Sequence, residues 1–307
     1  MSETVAVNMT HDASFCRCIE GEIDLFIEEE RLSRRKHDHT PVRSIIEYFE
    51  SNHAGVTGLE YEGLDLPTLT SYIELTLNKK SNVVVDLYKE HHILHALCGF
   101  YNSGFDEADV VVVDGMGNYS EVASRFRMSR PSNIKLLEKQ VDMGIGMVYS
   151  SISEYLGFGQ LGSGKVMGLA PYGKEDPEIK PFVIEDEVNS SLFNRTQGGS
   201  HCGYALNFIP YDYLPKHWDY RNWNEDVQRI ANLAYRLQKD FEKWMTNFIL
   251  KCDHKNIVLT GGCALNCVAN YNYLKYIPDD VKLYIEPVST DAGTAIGLAK
   301  FMYYSEV

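Results

Sequence analysis

Ala108-Asp109-Val110-Val111-Val112-Val113-Asp114-Gly115-Met116-Gly117 is a run of β-branched residues that ends in a lone aspartate among glycines. Valine is stiff at χ1 and suits a pleated strand, so Val110 to Val113 is expected to be one. A strand that delivers a carboxylate at its C-terminal end, with glycines letting a ligand approach the backbone, has the form of a site. Outward from it, Tyr119 to Phe126 and Ile134 to Val141 are predicted as the next two strands. The N-terminus repeats the plan. Thr4 to Met9 is a short apolar strand ending at Thr10-His11-Asp12-Ala13-Ser14, Phe15 to Ile19 a second, Glu20-Gly21-Glu22 a turn, and Ile23 to Ile27 a third. Two copies of strand, polar turn, strand, turn, strand, roughly a hundred residues apart, predict an internal duplication.

A repeated βββα lobe with a ligand between the copies is the arrangement of the actin, Hsp70 and sugar-kinase superfold. The expected fold class is therefore α/β, a duplicated two-lobe fold with a cleft. Lobe I is assigned to residues 1–108 and lobe II to 109–307, with a loop-rich insertion at 175–222.

The segment Val83 to Phe100 is apolar with a helical period and contains His91-His92-Ile93-Leu94-His95. On a helix, residues four apart project side by side, so His91 and His95 offer two imidazole nitrogens to a common point. That is half of a metal site. The plainer alternative is that one histidine caps or packs while the others face solvent. Asp114, arriving on the next strand, favours the metal reading.

At 307 residues the chain is long enough for one large domain or two packed lobes. Hydrophobic residues at 44% and charged residues at 23% fit an ordinary soluble protein. No apolar run approaches the roughly 18 residues that would span a membrane, and the polar N-terminus lacks a signal pattern, so a cytoplasmic protein is expected. The 7 cysteines form no CxxC pair and no disulfide framework. Cys263 and Cys267 are expected to be small buried fillers. A formal charge of -14 argues against a broad nucleic-acid surface.

The charged run from Glu28 to Asp38 is expected to be a solvated face, and Pro41 with Val42, Ile45, Ile46 and Phe49 an amphipathic helix. Met143 to Lys174 is dense in glycine, including Gly144 and Gly146, around a helix at Val148 to Leu156. Such glycines permit close backbone approach, as in phosphate-cradling loops, though none fits a Rossmann or Walker template. Asp226 to Leu250 is a long amphipathic helix. Lys255 to Thr260 is a strand feeding Gly261-Gly262-Cys263-Ala264-Leu265-Asn266 and a helix, a natural anion or nucleotide site. Strand Val281 to Ile285 precedes Ser289-Thr290-Asp291-Ala292-Gly293 and a last helix; Asp291 is either its N-cap or a ligand.

Assembled in order, these blocks resemble the O-carbamoyltransferase family of nodulation-factor, aminoglycoside and cephem carbamoyltransferases. The resemblance rests on His11-Asp12-Ala13-Ser14, Glu29-Glu30-Arg31 through Lys36-His37, His91-His92 with His95-Ala96, and Val113-Asp114-Gly115 with Gly117. It continues through Gly164-Lys165-Val166-Met167-Gly168-Leu169-Ala170-Pro171-Tyr172-Gly173, Gly261 to Asn266, and Ser289 to Gly293.

The resemblance implies a divalent metal, usually iron, held by His91, His95, Asp114 and Asp291; the mixed N/O set suits Fe²⁺, Mn²⁺ or Zn²⁺. It implies His11 as the general base toward an acceptor hydroxyl, Asp12 as an orienting group, and Lys36 as a contact to carbamoyladenylate. Nucleotide binding would fall to Lys36, Gly144, Gly146, Gly261, Gly262 and Asn266. The implied activity is transfer of a carbamoyl group from carbamoyladenylate, made from carbamoyl phosphate and ATP, to an acceptor hydroxyl. Small molecules, sugars, nucleosides and a modified DNA base all offer such a hydroxyl, the last being the one role expected for nucleic acid. Family members usually continue into a YrdC-like domain that makes the adenylate. This chain is expected to lack it and to depend on a separate YrdC-like protein, with a homodimer as a further expected assembly. The competing readings are a tRNA threonylcarbamoyl transferase-like enzyme and an ATP-dependent kinase of the same superfold.

Overall fold

The fold was obtained as a computed structural model, which describes residues 3–48, 53–57, 71, 82–83, 90–197 and 204–305. β1 (Glu3–Asn8), β2 (Ser14–Ile19) and β3 (Glu22–Glu28) form an antiparallel meander, followed by α1 (Glu29–Ser33), α2 (Val42–Tyr48), β4 (His53–Thr57) and β5 (Asn82–Val83). The sheet order is β3-β2-β1-β4-β5, with β4 parallel to β1 and β5 parallel to β4. Helix α3 (His91–Ser103) leads to β6 (Glu107–Val113), β7 (Glu121–Ser129) and β8 (Asn133–Val141), again an antiparallel meander. The helices α4 (Ile145–Tyr155) and α5 (Ser163–Leu169), the hairpins β9 (Val183–Ile184) with β10 (Glu187–Val188) and β11 (Phe193–Gln197) with β12 (Tyr204–Phe208), and the long α6 (Glu225–Ile249) come next. The chain closes with β13 (Asn256–Thr260), α7 (Cys267–Tyr273), β14 (Lys282–Ile285) and α8 (Gly293–Tyr304).

The second sheet has the order β14-β13-β6-β7-β8, with β13 parallel to β6 and to β14. Read from the meander inward, this is the first sheet's order repeated: third, second and first strand, then two parallel additions. The duplication expected from the strand pattern is present as topology. The fold is the actin/Hsp70-like α/β fold.

The valine run of β6 is buried on both faces because each face packs on helices. Val110 and Val112 pack with Leu94, Leu97, Ile296 and Ala299 of α3 and α8; Val111 and Val113 pack with Ile145, Val148 and the α6 side. Helix α8 also packs on β1 and β2, and α3 on β6 and β13, so the two helices form a layer between the sheets. This layering brings the C-terminal ends of β1, β6 and β13 toward one cleft, where open α/β sheets bind ligands.

Several expectations shift in detail. The helix expected over Val83 to Phe100 is described from His91 to Ser103 and ends at Gly104, a left-handed cap with φ 73°; residues 84–89 lie outside the described residues, as does Phe49 of the second expected helix. The 175–222 stretch carries the two hairpins above, with residues 198–203 outside the described set. The run Glu28 to Asp38 is not a wholly solvated face. Glu29 is buried, and its carboxylate accepts the backbone N–H groups of Arg43 and Ser44 at 3.0 Å each, satisfying donors in the first turn of α2. Of the two cysteines expected to be buried, Cys263 is and Cys267 is exposed.

Candidate metal centre and active-site cleft

The start of α3, the end of β6 and the loop leading into α8 meet at one point. His91, His95, Asp114 and Asp291 each offer a ligand atom there, all within 4.8 Å of one another and all buried. The Nε2 atoms of His91 and His95 lie 3.1 Å apart. Oδ2 of Asp114 is 3.0 Å from His91 Nε2 and 3.7 Å from His95 Nε2, and Oδ1 of Asp291 is 3.4 Å from each. Ligands about 2.1 Å from a common ion are separated by about 3.4 Å in a tetrahedron and about 3.0 Å across a cis octahedral edge. The observed separations fit that range, so the donor set fits a divalent metal by geometry as well as by chemistry. Oδ2 of Asp291 and Nδ1 of His95 are buried without a hydrogen-bond partner among the described residues. Asp291 thus serves as a member of this cluster, and the N-cap position of α8 falls to Ala292.

Electrostatics holds the carboxylates ionised. Burial by itself pushes the His91 imidazole down, but the charges of Asp291 and Asp114 overcome it and raise its pKa to about 10. Burial pushes Asp114 up, yet the hydrogen bond with His91 and the facing histidines bring it well below the usual carboxylate range; Asp291 is lowered by the same neighbours and by His11. A divalent ion would take the place of the proton that the metal-free cluster holds. The middle histidine is different. His92 is buried, its Nδ1 meets Ser124 Oγ at 2.8 Å, and burial followed by the neighbouring His91 charge pushes its pKa well down. It packs beneath the cluster and is not a member of it.

The cluster meets a cleft of about 750 Å³ through Asp114 and Asp291, which line it, while His91 and His95 are buried behind them. His11 and Asp12, from the β1–β2 turn, line the same cleft. His11 Nδ1 is 3.6 Å from Asp291 Oδ2, and His11 Nε2 is 3.6 Å from Asp12 Oδ2. Lys36 is exposed and is not among the lining residues; its neighbour His37 is, with Nδ1 2.7 Å from Asp12 Oδ1. The cleft lining also includes the apolar Tyr155, Leu161, Met167, Leu206 and Phe208, interleaved with the polar Glu154, Gln160, Ser163 and Asn207.

The glycines divide into two groups. Gly146 and Gly262 line the cleft, and the N–H of Gly262 donates to Asp114 Oδ1 at 3.0 Å. Gly144 and Gly261 stand behind them. A Cβ at Gly144 would lie 2.4 Å from Cβ of Val122, and Gly261 has φ 85° with Val113 O 2.4 Å from where a Cβ would be, so only glycine fits. Asn266 reaches the cleft, but its side chain already accepts from Ala269 N at the start of α7 and pairs with Gln238 in both directions. Sequence reasoning missed His37, Tyr149 and Gln238, and the lining by Leu206 and Phe208. His37 lies beside Lys36 in the same charged run; Tyr149 and Gln238 are 89 residues apart in sequence, and Gln238 and Asn266 28 apart, so they meet only through packing.

The carbamoyltransferase N-terminus family matches residues 47–300, most of the chain, and the chain belongs to it. Among curated proteins it is 25% identical over 334 residues to the nodulation protein NolNO of Sinorhizobium fredii, a match covering 95% of this chain and 46% of that protein. It is 28% identical over 211 residues to the nodulation protein NolO of Bradyrhizobium diazoefficiens, covering 68% of this chain and 37% of that one. Each match thus covers less than half of the relative's own length. Among solved structures it resembles component A of (R)-2-hydroxyglutaryl-CoA dehydratase from Acidaminococcus fermentans, with a TM-score of 0.52 at 14% identity over 99% of both chains. It also resembles full-length HypF, with a TM-score of 0.50 at 11% identity over 98% of this chain and 46% of that one. These two likenesses concern the fold.

Proposed function

We propose that this member of the carbamoyltransferase family moves a carbamoyl group from carbamoyladenylate to an acceptor hydroxyl in the cleft between its sheets. The observation that carries the reading is the buried His91, His95, Asp114 and Asp291 cluster, whose two aspartates line a cleft that also holds His11 and Asp12. A volume of about 750 Å³ is ample for a nucleotide-sized donor with an acceptor beside it.

When bound by His91, His95, Asp114 and Asp291, a divalent metal, Fe²⁺ with Mn²⁺ and Zn²⁺ as alternatives, would supply Lewis-acid stabilisation of charge developing on the departing phosphate. The chain's own residues do the rest. His11 takes the proton of the acceptor hydroxyl as its oxygen bonds to the carbamoyl carbon. The bond from that carbon to the phosphate oxygen breaks, and AMP leaves with the electron pair. Asp12 orients His11. The N–H of Gly262 keeps Asp114 turned to the cluster, and Gly146 and Gly262 line the cleft where the donor's phosphate would lie.

The test supplies preformed carbamoyladenylate and Fe²⁺ to the purified chain with a panel of hydroxyl acceptors, sugars and nucleosides among them, and reads products by mass spectrometry. Carbamoylated acceptor and AMP in equal amounts support the reading. Phosphate on the acceptor in a parallel sample given ATP and Mg²⁺ identifies a kinase instead, and no consumption of adenylate above buffer overturns the proposal.

A further inference from the structure

His37 lies in a turn that is tied both to α1 and to the His11–Asp12 turn. Its own N–H donates to Glu30 Oε2 at 3.0 Å. The next residue's carbonyl, Asp38 O, accepts from Ala13 N at 2.9 Å, and Ala13 O accepts from Glu29 N at 2.8 Å. His37 adopts φ 55°, a left-handed conformation that a non-glycine residue holds only when its surroundings require it. That conformation turns the imidazole into the cleft while Lys36 remains exposed.

The contact it makes there has a defined direction. His37 Nδ1 is 2.7 Å from Asp12 Oδ1, at the short end of charge-assisted N–H···O⁻ distances. A carboxylate only accepts, so the proton of this bond sits on Nδ1 of His37. Asn8 Nδ2 donates to the carbonyl of Asp12 at 2.9 Å, holding its backbone as well. The second carboxylate oxygen, Oδ2, is left facing His11 Nε2 at 3.6 Å.

We infer that His37 is a positioning residue, which clamps one oxygen of Asp12 so that the other stays turned toward His11. An unclamped carboxylate at the open side of the cleft would rotate between solvent and His11, and the His11 ring would lose its fixed neighbour on the acceptor side. The kinetic part of this inference rests on the carbamoyl-transfer reading; the hydrogen bond itself does not.

The experiment compares His37→Ala and His37→Asn with the wild type, using preformed carbamoyladenylate and an acceptor hydroxyl. In Asn the side-chain amide takes the place of the Nδ1–H donor. His37→Ala is expected to lower kcat by roughly 10- to 100-fold, with donor KM and metal content unchanged, and His37→Asn to recover most of the loss. Nitrogen-15 spectra of the imidazoles are expected to show the proton on His37 Nδ1 and a shifted signal in Asp12→Ala. Wild-type kcat in His37→Ala, or no recovery in His37→Asn over His37→Ala, overturns the positioning role. A His37 ring protonated on Nε2 alone and insensitive to Asp12→Ala overturns the clamp. Absence of transfer in the wild type would instead fail the functional reading, and the spectra would then decide the clamp by themselves.

Discussion

The N–H of Gly262 and the carboxylate of Asp114 are hydrogen-bonded at 3.0 Å through Oδ1, while Oδ2 of the same carboxylate meets His91 Nε2 at 3.0 Å. One side chain therefore ties the glycine loop after β13 to the helix that carries the two histidines. The loop, the strand end and the helix are locked together, so the cluster's geometry does not depend on any one of them alone.

Replacing His91 or His95 with Ala should strip bound divalent metal, because each supplies one of four inner donors. Elemental analysis of the purified variants checks this, and wild-type metal content in both would remove the assignment. His92→Ala should keep its metal, since His92 pairs with Ser124 and is not one of the four donors.

Gly146→Ala should destabilise the fold. Its Cβ would lie 2.3 Å from the backbone oxygen of Asp114 and 2.9 Å from Cys263 Sγ, and a backbone neighbour cannot swing aside. A loss of about 1–3 kcal/mol is expected in denaturant unfolding. Gly164→Ala, in α5 with nothing within 4 Å of the added Cβ, should be neutral or stabilising by up to ~1 kcal/mol. Equal effects of the two substitutions would contradict the packing described here.

Asp109 should contribute pH-dependent stability. Burial pushes its carboxyl up, but the hydrogen bond from Arg127, with the N–H groups of His254 and Asp253, holds it below the usual range. A folded value below the unfolded one stabilises at pH above the ordinary carboxylate range, and the gain is lost as pH falls through the folded value. Asp109→Asn should be less stable by about 1–3 kcal/mol at pH 7. The gap should shrink below about pH 4. Unfolding curves at pH 7 and pH 3 decide it; an unchanged gap would mean that the pair is not linked to protons.

Glu29→Ala should loosen the entry to α2, because the Arg43 and Ser44 N–H groups lose their shared acceptor. A cost of about 0.5–2 kcal/mol is expected from the loss of a cap, measured as a lower unfolding midpoint at unchanged slope.

Much of this was legible along the chain. The strand meanders, the valine run, the HxxxH spacing and the glycine before each close turn are short-range features, governed by side-chain period, χ1 stiffness and backbone sterics that act within a few residues. They were enough to place His91, His95 and Asp114 in one argument. Other decisions were out of local reach. Asp291 as N-cap or ligand turned on whether α8 docks beside α3, which packing between the two sheets determines. Lys36 and His37 are adjacent in one polar turn, and no spacing rule distinguishes them. The left-handed backbone at His37, held through Glu30 and Ala13, turned the histidine inward and left the lysine exposed. Glu29 looked like one more charge in a solvated run, and became a buried cap because the amides of α2 needed an acceptor. Periods and propensities are properties of neighbouring residues. Which polar group is buried, and against what, is settled only when distant segments must satisfy each other's hydrogen bonds.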